Sequence, residues 1–150
     1  MEVRYLTVKE VIALHDEQIE RYTPAEQKHV ADWGGLDSAC KRPCLTHHYE
    51  PYSDICDLAA SLAFGLTKNH AFANANKRTA AICTHVFLII NGYQLEMCQR
   101  EQVDLYVDLA EDKLDQIRLA DILAEHVREL SDDERSELCI FRPIVTTHSV

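Results

Sequence analysis

His70-Ala71-Phe72-Ala73-Asn74-Ala75-Asn76-Lys77-Arg78 runs directly into the apolar stretch Thr79 to Ile90. These nine residues hold a candidate general base, two carboxamides and two cations, and no other part of the chain is so dense in chemistry. The apolar stretch is long enough for the central, buried helix of a fold, and Gly92 stands where its C-terminal cap would fall. A helix starting here presents unpaired backbone N–H groups and the positive end of its dipole. Lys77 and Arg78 at that end make a pocket for phosphate. His70, just upstream, is placed to take a proton from whatever attacks that phosphate.

Working outward, the rest of the chain reads as helices. Thr7-Val8-Lys9-Glu10 is a capping box. Val8, Val11, Ile12, His15, Ile19 and Tyr22 follow at helical spacing, and Pro24 interrupts them. Residues 25–33 are expected to form a short helical turn. After Trp33-Gly34-Gly35, a short helix from Leu36 to Arg42 is expected to stop at Pro43, with 43–52 a small flap loop or hairpin. Ser53 can cap the next helix, with Asp54 in its first turn. Its apolar stripe of Ile55, Leu58, Ala59, Leu62, Ala63 and Leu66 delivers His70 at its end. Glu101 to Glu111 and Asp115 to Leu130 make two more helices. The fold class is therefore all-α: about six helices in one domain over residues 1–130. Residues 131–150 form a tail that is disordered or docks, its acidic start Ser131 to Glu137 solvated and its apolar patch Cys139 to Val145 available to dock.

Composition narrows the function. The chain has 150 residues, 47% of them apolar, and only four glycines and four prolines, which favours helices over turn-rich sheets. A net charge of −10 argues against a protein that binds nucleic acid directly, although a local basic pocket for a nucleotide is compatible with it. The longest uncharged apolar run is about a dozen residues, too short to cross a bilayer. Met1-Glu2-Val3-Arg4 is unlike a signal peptide. Six cysteines, several on helix faces, suit a reducing compartment and free thiols. The expected location is the cytoplasm.

The nine-residue string resembles the motif of the Fic/Doc family, His-x-Phe-x-(acidic)-(Gly/Ala)-Asn-(Gly/Lys)-Arg, here His70, Phe72, Asn74, Ala75, Asn76, Lys77 and Arg78. Lys77 and Ala81 are as in the Doc branch, whereas the AMP-transferring Fic branch carries Gly and a second Arg there. Tyr5-Leu6-Thr7, Ala13-Leu14-His15-Asp16, Gly35-Leu36, Arg42-Pro43 and Asn91-Gly92-Tyr93 also resemble Doc toxins. The resemblance covers roughly residues 3 to 130 and implies a Fic/Doc-like helical bundle that modifies a protein hydroxyl with ATP and Mg²⁺. In Doc toxins the terminal phosphate goes to a Thr or Ser hydroxyl of a translation factor such as elongation factor Tu. A Phd-like antitoxin restrains them by laying a helix across the nucleotide site. The resemblance makes His70 and Arg78 catalytic, with Asn76, Lys77 and Arg78 binding phosphate. Phe72 and Ala75 shape the motif, and Asn74 takes the metal position. His47, His48, Tyr49 and Tyr52 would form the flap that lines up the target, with Arg42 facing the active site.

Asn74 departs from the family pattern, because Mg²⁺ prefers anionic oxygens. Three readings follow: metal held mainly by the nucleotide, a catalytically weak relative that still binds nucleotide or protein, or a substitute acid such as Asp54 or Asp57. AMP transfer is the alternative chemistry, and Lys77 and Ala81 speak against it. No Ser/Thr-x-x-x-Glu-(Gly/Asn) self-inhibitory string occurs in the chain. Outside the motif, His15 and His126 lie on apolar stripes and read as buried, hydrogen-bonded histidines. Cys40, Cys44, His47 and His48 are close in sequence, but their spacing fits no strong zinc pattern and reads as coincidence.

Overall fold

The computed structural model describes residues 2–138. Helix α1 (Val8–Tyr22) opens on the expected capping box. The Glu10 N–H donates to Thr7 Oγ1 (3.1 Å) and the Thr7 N–H to Glu10 Oε1 (3.0 Å). Its buried stripe includes Val11, His15 and Ile19.

Residues 23–32 are not helical, against expectation. They make a turn and then run extended, because their backbone partners lie in the motif loop. Val30 bridges antiparallel to Phe72. The Ala31 and Asp32 N–H groups both donate to the Ala71 carbonyl (2.8 and 3.0 Å), and the Ala73 N–H donates to the His29 carbonyl (3.0 Å).

Helix α2 (Trp33–Tyr49) corrects a second expectation. It starts at Trp33, where Asp32 accepts from the Gly35 N–H at 2.9 Å, and continues through Pro43. Proline removes one i→i−4 hydrogen bond and crowds a carbonyl. The helix persists because Leu36, Ala39, Cys40 and Pro43 are all buried at helical spacing, so packing outweighs the local penalty. Residues 43–49 are therefore helix, not a flap.

Helix α3 (Ile55–Lys68) is capped by Asp54 rather than Ser53, in a reciprocal box with Asp57. It is the most enclosed element, with 11 of its 14 residues buried, and it packs against α2, α4, α5 and α6, the last three being α4 (Asn76–Ile90), α5 (Gln99–Ala110) and α6 (Gln116–His126). Gly65 permits its close approach to α2: a Cβ there would lie 2.6 Å from Arg42 Cδ and 3.1 Å from Ala39 Cα. Arg42 itself ties the helices together. Its Nε donates to the Ser61 carbonyl (3.2 Å), its Nη2 to Gln116 Oε1 (2.6 Å), and its guanidinium lies 5.0 Å from the Phe64 ring centre. It serves the α2–α3–α6 junction, not the face that the resemblance implied.

The centre of the fold is thus α3, not the Thr79–Ile90 helix. Helix α4 buries Thr79, Ala80, Cys83, Thr84, Phe87 and Leu88. Its other face lines a cavity, which is why it reads as apolar almost all round. Strand β1 (Tyr93–Leu95) pairs antiparallel with β2 (Val127–Glu129), so the expected helix to Leu130 stops at His126. The Glu96 N–H donates to the His126 carbonyl at 2.7 Å, diverting the chain into the ladder. His126 is half-buried, and its Nδ1 donates to the Ile122 carbonyl at 2.8 Å.

The start of the expected tail is ordered. Residues 132–138 are helical, opened by a Ser131–Glu134 reciprocal pair. The patch from Cys139 to Val145 lies outside the described residues. Among the described residues, no helix is long and apolar enough to cross a membrane.

Candidate active site

The motif forms the loop between α3 and α4. Asn69 ends α3, and its Nδ2 donates to the Gly35 carbonyl at 2.9 Å. His70 follows in the left-handed region (φ 46°) with its side chain exposed. Ala71 and Phe72 then turn inward and are buried. Ala75 is left-handed again (φ 64°, ψ 31°) and begins α4 without any side-chain cap. That matters chemically, because the first N–H groups of α4 stay open and the dipole's positive end is uncovered.

The loop is held from both sides. On one side is the extended segment 29–32. On the other, His15 is fully buried and its ring lies 3.8 Å from that of Phe72 at 7°. Its Nε2 donates to the Asn74 carbonyl (3.0 Å) and its Nδ1 sits 3.0 Å from Asp16 Oδ1. The expectation of a buried, hydrogen-bonded His15 holds. Asn76 closes the turn from within. Its Oδ1 accepts from the Phe72 N–H (3.0 Å) and its Nδ2 donates to the Phe72 carbonyl (2.8 Å). Asn76, which the resemblance places among the phosphate-binding residues, commits both ends of its carboxamide to the loop. What it leaves for an anion is its backbone N–H.

Lys77 and Arg78 line a cavity of about 450 Å³ between α1, α4 and α5. Arg21 is a third cation on its wall, Ala81, Ile82, Val103 and Val107 supply apolar surface, and Gln18, Gln99 and Gln102 supply amides. His85 lines it too, and burial holds its imidazole below the usual value. His70, Asn74 and Asn76 are not on this wall. At rest Arg78 has partners: its Nη2 donates to Thr23 Oγ1 and to Glu26 Oε2, both at 3.1 Å. Thr23 also donates to that oxygen at 2.9 Å, so a Glu26 carboxylate sits directly on the Arg78 guanidinium.

His47, His48, Tyr49 and Tyr52 are not beside the motif. They lie where α2 ends and α3 begins, while His70 follows the far end of α3. Fourteen residues of helix separate those ends by roughly 21 Å. His47 is hydrogen-bonded to the Tyr5 hydroxyl at 2.8 Å, and Tyr49 and Tyr52 are exposed. The same distance removes Asp54 and Asp57 as substitute metal ligands, because both cap the distant end of α3. The segment that does flank the motif is 29–32.

Among the described residues no three His, Cys, Asp or Glu side chains are grouped to hold a metal ion. Cys40 is buried and Cys44 exposed on the same helix, and burial pushes the Cys40 thiol up to about 12, far from a ready thiolate. The five described cysteines are free.

The motif thus joins a buried loop to the uncapped start of a helix that carries two cations. The model of the Fic/DOC family matches residues 5–88, and the chain belongs to that family. It is 40% identical over 93 residues to Toxin Doc of Mycolicibacterium smegmatis (strain ATCC 700084 / mc(2)155), across 61% of this chain and 67% of that protein. It is also 31% identical over 121 residues to Protein kinase doc of Escherichia phage P1, across 81% of this chain and 94% of that protein.

Proposed function

We propose that this chain is a Doc-type toxin that transfers the terminal phosphate of ATP to a Thr or Ser hydroxyl of a target protein. The observation that carries this reading is the uncapped start of α4, with Lys77 and Arg78 turned into a cavity spacious enough for a nucleotide. Two relatives, one named a toxin and the other a protein kinase, support it. The triphosphate would lie against the backbone N–H groups of Asn76, Lys77 and Arg78. His70 would accept the proton of the attacking hydroxyl as its oxygen bonds to the γ-phosphorus and the bond to ADP breaks. Arg78 would neutralise charge on the transferred group. Transfer of this kind rests on positioning and charge more than on covalent chemistry. A translation factor such as elongation factor Tu is the target class, and a separate Phd-like antitoxin is the restraining partner.

One neutral carboxamide at Asn74, with no grouped acids, is not a metal cage for Mg²⁺. The ion would arrive on the nucleotide's own phosphates. Restoring the acid, Asn74→Asp, is therefore expected to raise phosphate transfer on the order of tenfold, as gaining or losing a metal-supporting group commonly does. No gain in a phosphorylation assay, together with no heat of ATP binding by calorimetry, would favour the second reading that Asn74 suggests: a binding protein without catalysis. AMP transfer is distinguished by the mass of the adduct on the target.

The Glu26 contact gives a further expected result. Both Glu26 and Arg78 are partly exposed (39% and 32%), so their pairing contributes at most about 1 kcal/mol. Glu26→Gln should tighten ATP binding by no more than about fivefold, with thermal stability nearly unchanged. Weaker binding in the variant would show that Glu26 orients Arg78 for the nucleotide rather than competing with it.

A further inference from the structure

We propose that His15 is a positioning residue of this site: through its Nε2 donation to the Asn74 carbonyl it sets the peptide that turns the motif loop into an anion-binding nest. The inference rests on the phosphate-binding reading above and extends it to a residue outside the motif, on α1.

The argument begins with peptide geometry. A trans peptide is planar, so the carbonyl of Asn74 and the N–H of Ala75 point in opposite directions across it. The Asn74 carbonyl is held toward His15 Nε2 at 3.0 Å. The Ala75 N–H is therefore turned away from α1, and it finds no partner among the described residues. Ala75 is left-handed and Asn76 begins a right-handed helix. Successive residues of opposite hand converge their N–H groups into a concavity that favours anions. If the Asn74–Ala75 peptide flips, the first of those N–H groups is lost and a carbonyl faces the phosphate instead.

His15 is itself rigidly placed. It is wholly buried, its ring is parallel to Phe72 at 3.8 Å, and Asp16 holds Nδ1 at 3.0 Å. The Asn74 carbonyl can only accept, so Nε2 carries the hydrogen. Core packing alone would require the ring and its stacking, but not a donor at Nε2. That difference separates a positioning role from a merely structural one.

The test compares two variants. His15→Phe keeps a ring against Phe72 and loses the donor. His15→Gln loses the ring and can place an amide N–H close to where Nε2 stands. Amide hydrogen exchange at Phe72 and Ala73, whose N–H groups are hydrogen-bonded within the held loop, and ATP affinity by calorimetry are read for both, alongside melting temperature. His15→Phe is expected to exchange faster at these amides and to bind ATP on the order of tenfold more weakly, the effect of one positioned hydrogen bond. His15→Gln is expected to stay within about threefold of wild type in affinity even where its melting temperature falls. Wild-type exchange and affinity in His15→Phe would overturn the proposal. So would a folded His15→Gln as impaired as the weakest binder, and this second arm decides the matter if His15→Phe does not fold. Failure of the wild type to bind ATP would remove the phosphate-transfer reading, while the exchange comparison would still decide whether His15 sets the loop.

Discussion

Replacing His70 with alanine is expected to lower phosphate transfer by about 10²- to 10⁴-fold, the usual contribution of a positioned general base, and to abolish growth arrest on expression. The fold should be indifferent to the change. The side chain is exposed and takes no hydrogen-bond partner among the described residues, so stability should move by no more than about 0.5 kcal/mol. His70 sits in the left-handed region, which histidine adopts more readily than most residues, so alanine there adds only a small backbone cost. Growth curves of cells expressing each protein, with mass spectrometry of the modified target, provide the measurement. Equal arrest by wild type and variant would eliminate His70 as the base, and with it the proposed chemistry.

Phe72→Ala should behave in the opposite way, damaging the fold before the chemistry. Phe72 is 3% exposed, bridges to Val30, and stacks on the buried His15 ring. Removing such a ring costs about 3–5 kcal/mol from lost transfer energy and the cavity left behind. For a chain of this size that corresponds to a fall in melting temperature of roughly 6–20 °C. Calorimetric melting is the direct measurement. A fall of only a few degrees would mean that segment 29–32 and Asn76 hold the loop without the ring, and that the stacking on His15 is incidental.

Much of this was legible in the residues themselves. The capping box at Thr7, the stripe from Ile55 to Leu66 and the motif before Thr79 each combine a local signal with a periodic one. Those elements stand where the periodicity puts them. Pro43 signals a stop by its local chemistry alone, whereas the stripe Leu36, Ala39, Cys40 and Pro43 continues the helix across it. The flap assignment to His47–Tyr52 fell with that helix. Segment 29–32 carries little local pattern, since its conformation is set by backbone bonds to residues about forty positions away. The apolar face of α4 reads as buried core because a sequence cannot tell a packed surface from the wall of a cavity. The loop bonds of Asn76 are hidden for a related reason: a carboxamide serves equally well as a ligand or as a staple, and only its hydrogen bonds distinguish them. Arg21, Glu26 and His15 reach the site from α1 and the turn after it, which no spacing within the motif could reveal.

Arg135, from the helical stretch 132–138, lies across Gly92, whose φ is +93°; a Cβ there would sit 2.9 Å from Arg135 Nη2. The same arginine donates to the Leu130 carbonyl (3.2 Å), and the Leu130 N–H donates to the Gly92 carbonyl (2.9 Å). A fragment trimmed at Leu130 would strip this buckle from the β1–β2 ribbon and loosen the seat of α4's outgoing end. Whoever designs a minimal version for crystallisation or display should keep Arg135.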